Sequence, residues 1–212
     1  MPNWCSNSLE IHHADKKMMR RFVKSWNRGR LLDEFIPVPP ELKDNCLGIQ
    51  EILKRHKQNR NMEYEKELGA LTESLNLRFF GYKNWYDFCV NEWGTKWDIG
   101  YDGDYGDYLT ADDARKPISL SFCSAWSPPV EAYRKLHEMG FSIRAYYYES
   151  GMMYCGSWID GDDQYFEIEE CKSDWVRENI PSDIDEYMGI SDEMELDEEC
   201  EAQEIDDASW RA

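Results

Sequence analysis

The stretch WCSNSLEIHHADKKMMRRFVKSWNRG, Trp4 to Gly29, decides the fold class. From Trp4 to His12, polar Ser6, Ser8 and Glu10 alternate with Cys5, Leu9 and Ile11, the period of a strand with one buried face. The period then changes. Met18, Phe22 and Trp26 recur every four residues with Met19 and Val23 beside them, Asp15 is placed to cap the first turn, and Gly29 to close the last. A strand running directly into an amphipathic helix opens an α+β domain. The polar side of that helix carries Lys17, Arg20, Arg21, Lys24 and Arg28, with Lys16 and Arg30 nearby, the one dense basic patch of the chain. Such a stripe serves either as a phosphate contact or as a solvated helix face.

Working outward, FIPVPP (Phe35 to Pro40) must be extended, because its three prolines fix φ and bias the preceding residues away from helix. From Leu47 to about Leu75 the pattern is polar and helix-favouring, with Ile49, Ile52, Leu53, Met62, Leu68, Leu71 and Leu75 as apolar positions, and it reads as a helical insertion. Asn84 caps a short helix through Val90 whose Trp85, Phe88 and Cys89 point inward, and Gly94 releases the chain into a strand, Thr95 to Tyr101. The aspartates between Asp102 and Asp113 resemble a calcium loop only superficially: Asp107 stands where the loop needs glycine and Asp113 where it needs glutamate, so a solvated turn is expected.

Ile118 to Ser124 reads as a strand. Ser127 then caps a helix that begins with Pro128 and Pro129 and faces Val130, Tyr133, Leu136 and Met139 one way. Phe141–Glu149 and Met152–Ile159 form a hairpin about Ser150-Gly151. The order strand, helix, insertion, strand, strand, helix, strand, with one added strand, predicts a ferredoxin-like split βαβ sandwich: an antiparallel sheet with helices on one face. It occupies residues 1–171, with the helical insertion at about 43–90, and is followed by an acidic segment, 172–212.

The charge is polarised. The 212 residues hold 43 acidic and 24 basic side chains, a net −19, and the part from Asp160 onward holds 21 and 3 of them, leaving the body near neutral. From Asp183 to Asp207 the composition is too charged to collapse alone and reads as mobile or marginally helical. Such a segment solvates the protein, presents carboxylates to a basic partner as a nucleic-acid mimic would, or docks on the protein's own basic helix.

Seven cysteines (5, 46, 89, 123, 155, 171 and 200) include no Cys-x-x-Cys pair, and only four histidines (12, 13, 56 and 137) are present. That is the usage of a reducing compartment, and it argues against a zinc site, an iron–sulfur cluster or another cofactor. His12 and His13, adjacent on a strand, point to opposite faces and cannot share a metal. Cys5 and Cys123 read as buried hydrophobes. No basic, apolar leader opens the chain, and no apolar run approaches the roughly 18 residues that span a bilayer. Nine tryptophans and thirteen tyrosines supply rigid contact area for a core or a binding face. Trp93, Lys96, Trp97, Asp98 and Trp126 form the candidate binding set, with Glu92 beside them, and no catalytic residue is legible.

The blocks PNWCSNSLEI (Pro2 to Ile11), FIPVPPEL (Phe35 to Leu42), NEWGTKWD (Asn91 to Asp98), SAWSPP (Ser124 to Pro129) and Glu149 to Gly156 together resemble the YubB-type ferredoxin-like proteins of phages and plasmids. The resemblance covers roughly Met1 to Ile159 and leaves the acidic segment unexplained; His12-His13 replaces a glycine-ended strand, and Ser124 a threonine. It implies the split βαβ topology without iron and a family with no settled activity. It also implies a mobile-element origin, so the expected function is a non-enzymatic accessory protein in the bacterial cytoplasm that binds a host macromolecule as an inhibitor or acidic decoy, a host protein ahead of nucleic acid because a near-neutral body with an acidic tail lacks the cationic surface phosphates need. Single-stranded nucleic acid on the open sheet face, or an enzyme with a loop-built site, are the alternatives.

Overall fold

The computed structural model describes residues 3–43, 62–101, 103 and 106–209. Cys46, His56, and the part of the expected insertion from Leu47 to residue 61 lie outside them. In chain order the elements are β1 (Trp4–His13), α1 (Lys16–Trp26), α2 (Leu31–Phe35), α3 (Pro40–Lys43), α4 (Met62–Phe80), α5 (Trp85–Glu92), a 3-10 turn (Asp113–Arg115), β2 (Ile118–Ala125), α6 (Val130–Glu138), β3 (Phe141–Glu149), β4 (Tyr154–Ile159), β5 (Asp162–Glu167), α7 (Ser173–Asn179), α8 (Ser182–Met188) and α9 (Ile190–Ser209).

The five strands form one antiparallel sheet in the order β2-β1-β3-β4-β5. The strand-to-helix switch read from Trp4–Gly29 sits at its centre: β1 pairs with β2 on one side and β3 on the other. Leu9 lies opposite Leu120 and Ala145, and Ile11 opposite Ile118 and Ile143, so the period-2 pattern lays two apolar rows across one face. Phe22 and Trp26 from α1, Leu136 from α6, and Leu31 and Leu32 from α2 close over those rows as the main core. The Trp26 ring stacks on Phe22 and meets Phe122 edge-on. The expected α+β, ferredoxin-like arrangement is present: β2, α6 and β3 form a βαβ unit split by β1, with helices on this face.

The second face carries its own cover. Tyr146, Tyr148 and Cys155 are buried there beneath Ile168, Val176, Ile180, Ile184, Ile190 and Met194, contributed by the chain after β5. Where composition reads as mobile, Ser173–Ser209 forms three helices, because enough branched apolar residues recur among the carboxylates to dock on the sheet. The Tyr146 ring stacks on Tyr187 at 4.4 Å and its hydroxyl donates to Asp183 at 3.0 Å. Glu198 accepts from the Ser173 N–H, Asp185 accepts from Ser191, and Arg177 bridges Asp192 and Glu195. This acidic unit lies across the sheet from α1, so it is not docked on the basic helix.

Four local expectations are corrected. Thr95–Tyr101 is not a strand: its polar groups go to helix ends, Ile99 O accepting from Leu31 N–H and Tyr101 N–H donating to Trp26 O. Gly100 permits that approach, since a Cβ there would stand 2.6 Å from the Trp26 carbonyl. Ser127 does not cap α6; its hydroxyl donates to the Gly94 carbonyl. Cys123 is exposed, because it faces the uncovered part of the second sheet surface. Trp85 is also partly exposed, on the outer side of α5, while Phe88 and Cys89 are buried as expected. β5, a polar edge strand, has no counterpart in the sequence reading.

Candidate functional site

The recognisable sequence blocks converge at one end of the sheet. The Trp126 N–H donates to the Asn3 carbonyl, and the Tyr154 hydroxyl donates to the Trp126 carbonyl at 2.8 Å. Thr95 Oγ1 donates to the Ala125 carbonyl, Asn7 Nδ2 to Ser124 Oγ, and Ser124 Oγ to the Ser127 carbonyl. Buried Glu149 closes the hairpin turn by accepting from the Gly151 and Met152 N–H groups. These side chains satisfy backbone groups that the loops leave unpaired. Trp126 sits at φ 73°, a left-handed conformation costly for a tryptophan, held by the contacts on both sides of its peptide.

Beside this junction lies an open cleft of about 450 Å³ between α2, α3, α5 and the 93–98 segment. Its walls include Trp85, Trp97, Lys96, Arg30 and Lys43, and its floor Cys89, Asp33, Asp98 and Trp93. Four of the five candidate binding residues therefore meet here. Trp126 does not line the cleft; its ring is half exposed near the junction.

Each member has a distinct role. Trp93 is a core anchor, with its Nε1–H donating to the Ile36 carbonyl at 2.9 Å. Asp98 accepts from the N–H groups of Leu32 (2.6 Å), Asp33 (3.0 Å) and Ile99 (2.9 Å). It thereby caps α2, whose own N-cap residue Arg30 makes no side-chain cap bond. Burial pushes the Asp98 carboxyl above its ordinary range, and the three N–H bonds pull it only partly back. Burial also works to raise Asp33, but Lys43, the Val38 N–H and Arg30 outweigh it, so Asp33 is held low and ionised. Burial, reinforced by Asp98 and Asp33, pushes the Cys89 thiol up to about 12, which leaves it protonated and a poor nucleophile at neutral pH.

The exposed elements are apolar and aromatic. Lys96 Nζ sits 5.0 Å from the Trp97 ring centre and 5.7 Å from that of Tyr86, a cation–π arrangement. Trp97, 39% exposed, packs on Trp4 at 5.7 Å, and Trp85 meets Tyr86 edge-on. Along the chain just before this cluster, α4 shows Leu71, Leu75 and Phe79 at four-residue spacing, all exposed, Phe79 at 72%. The four-residue spacing of Leu71 and Leu75 was visible in the sequence. That the stripe faces solvent, and that Trp4 packs on Trp97 and Trp85 on Tyr86, was not.

The basic face of α1 divides. Arg21 is tied to Glu34 at 2.7 Å and lies over the Phe35 ring. Among the described residues no ion pair engages Lys17, Arg20, Lys24 or Arg28. Arg20, Lys24 and Arg28 line a second groove, of about 550 Å³, and Lys17 lies outside it. Among the described residues no group of three His, Cys, Asp or Glu side chains is placed to hold a metal, and no helix is long and apolar enough to cross a membrane.

No protein-family model and no curated protein matches the chain. Among solved structures, the crystal structure of a protein api92 from Yersinia pseudotuberculosis, family DUF1281, aligns over 79% of this chain and 98% of its own at 12% identity and a TM-score of 0.33. Nothing about activity transfers at that level of similarity.

Proposed function

We propose that the protein is a non-enzymatic binding module, an accessory of a phage, plasmid or other mobile element, that captures a host protein through the exposed apolar surface of α4 and α5 and the adjoining cleft. The observation that carries this reading is the Leu71, Leu75, Phe79 stripe leading along the chain into Trp85, Tyr86 and Trp97. Exposed large apolar side chains repeated along one helix, followed in the chain by exposed aromatics, support protein binding, since Trp and Tyr anchors dominate the energetics of protein interfaces. The cleft chemistry supports binding over catalysis: Asp33 and Asp98 are committed to structural partners, and the Cys89 thiol stays protonated. The ordered acidic face of α7–α9 adds a field that steers a basic partner toward the molecule, in keeping with an inhibitor or decoy.

The alternative of single-stranded nucleic acid on the sheet face draws no support from the geometry. Tyr146 and Tyr148, at the centre of that face, are covered by the C-terminal helices, and Trp4 at its end packs on Trp97.

The test is affinity capture from nuclease-treated bacterial lysate with the full chain, using Leu75→Asp/Phe79→Asp and Trp97→Ala variants beside a charge-neutralised variant of α1. A protein retained by wild type and the α1 variant, but lost from the α4 and Trp97 variants, supports the reading. Equal retention by all four, or by none, refutes it.

A further inference from the structure

The groove beside α1 has the features of a site for a polyanion. Arg20 and Lys24 are four residues apart on one face of α1 and Arg28 follows four further on, in the turn, a stripe rising by about 6 Å per step. The opposite wall is the 108–114 segment, held firmly against the helix. The Trp26 Nε1–H donates to the Asp107 carbonyl at 2.8 Å, and Asn27 makes a reciprocal pair with Leu109, donating to its carbonyl (2.7 Å) and accepting from its N–H (2.9 Å). Tyr108, carried by that wall, is 65% exposed and braced edge-on by Tyr101. Of the carboxylates on that wall, Asp113 accepts from Thr110 and pairs with Lys116, Asp112 pairs with Arg115, and Asp107, just before Tyr108, is exposed.

Residues 1–159 hold 22 acidic and 21 basic side chains, and against that balance Arg20, Lys24 and Arg28, engaged in no ion pair among the described residues, concentrate positive charge along one concave wall. A stripe of three charges is longer than a single phosphate needs, and an exposed, braced tyrosine facing it supplies a stacking platform. We infer that this groove binds a short segment of single-stranded nucleic acid, its phosphates on Arg20, Lys24 and Arg28 and a base on Tyr108. A concave wall admits a splayed strand; it does not project α1 into the groove of a duplex. This site is separate from the α4–α5 surface, and its failure would leave the protein-capture reading untouched.

The experiment is fluorescence anisotropy of a labelled oligothymidylate of about twelve nucleotides, within the site sizes such grooves cover, with the full chain. Three phosphate contacts predict a salt slope near −2, a weakening of roughly twentyfold between about 50 and 200 mM salt. Arg20→Gln/Lys24→Gln/Arg28→Gln, all exposed positions that leave the urea midpoint unchanged, should weaken binding at low salt at least about tenfold and flatten the slope. Tyr108→Ala should weaken it about fivefold or more while keeping the slope, given the usual worth of one stacked base. Absent binding at low salt, or unchanged binding by the triple variant, overturns the inference. Equal competition by poly-glutamate or by duplex DNA overturns the assignment to single strands.

Discussion

Replacing Asp98 by alanine isolates the bond set that joins the cleft to the core. Its carboxylate accepts three backbone N–H groups, two on Oδ1 and one on Oδ2, and among the described residues no other side chain caps the start of α2. Each buried donor left without an acceptor costs about 1–3 kcal/mol. The losses are not additive, and removal of a carboxylate that burial disfavours returns part of them. The expected cost is therefore about 3 kcal/mol, the upper range for loss of a helix cap plus one further orphaned donor. Asp98→Asn separates the contributions: its Oδ1 keeps the Leu32 and Ile99 bonds while its amide opposes the Asp33 N–H, for a cost of about 1–1.5 kcal/mol. Urea unfolding followed by tryptophan fluorescence measures both, with the m-value expected to hold constant. An alanine variant within about 0.5 kcal/mol of wild type, the scatter of ordinary surface substitutions, would refute the capping role.

Other consequences are as concrete. Asp33 is held low by Lys43, the Val38 N–H and Arg30, so its contribution is present above the ordinary Asp range and lost as pH falls through its depressed value; the wild-type advantage over Asp33→Asn in urea midpoint should be constant near pH 7 and shrink below about pH 4. Burial pushes the thiols of Cys5, Cys89 and Cys155 up to about 12, whereas Cys123 and Cys200 are exposed; alkylation at neutral pH mapped by mass spectrometry should mark the exposed pair first and the buried three only after denaturation. Ile184→Ala, on the buried side of α8, should cost about 2–4 kcal/mol, the usual loss on truncating a buried isoleucine, and a negligible shift in the melting curve would show that the acidic helices do not pack on the sheet.

The parts of the fold that the sequence disclosed are those where one period dominates. The Cys5, Leu9, Ile11 alternation, the Met18, Phe22, Trp26 stripe and the Phe141–Glu149 strand each match what folds. Thr95–Tyr101 misleads because Ile99 is buried and alternates with polar neighbours, yet its carbonyl and the Tyr101 N–H are consumed by helix termini, a pairing with no local signature. β5 escapes notice because DDQYFE is an edge strand with little buried surface, and charge masks the rest. The same masking hides Val176, Ile180 and Ile184, whose four-residue spacing is present but diluted by carboxylates. At the cleft, residue types near Trp93 announced an interesting neighbourhood, but Arg30, Asp33 and Lys43 arrive from sixty or so positions away, and only tertiary structure brings them there.

The cover over Tyr146 and Tyr148 lies later in the chain than every strand it protects. During synthesis β3 and β4 leave the ribosome with an apolar face that stays bare until α7–α9 emerge, so the sheet passes through an interval of exposed stickiness set by translation speed. Seven carboxylates, Asp160 to Asp174, precede Val176 in the chain and emerge within that interval, where charge of one sign opposes association between copies. The larger share of the segment's charge, from Asp185 onward, emerges only with or after Val176, Ile180 and Ile184, the residues that complete the surface.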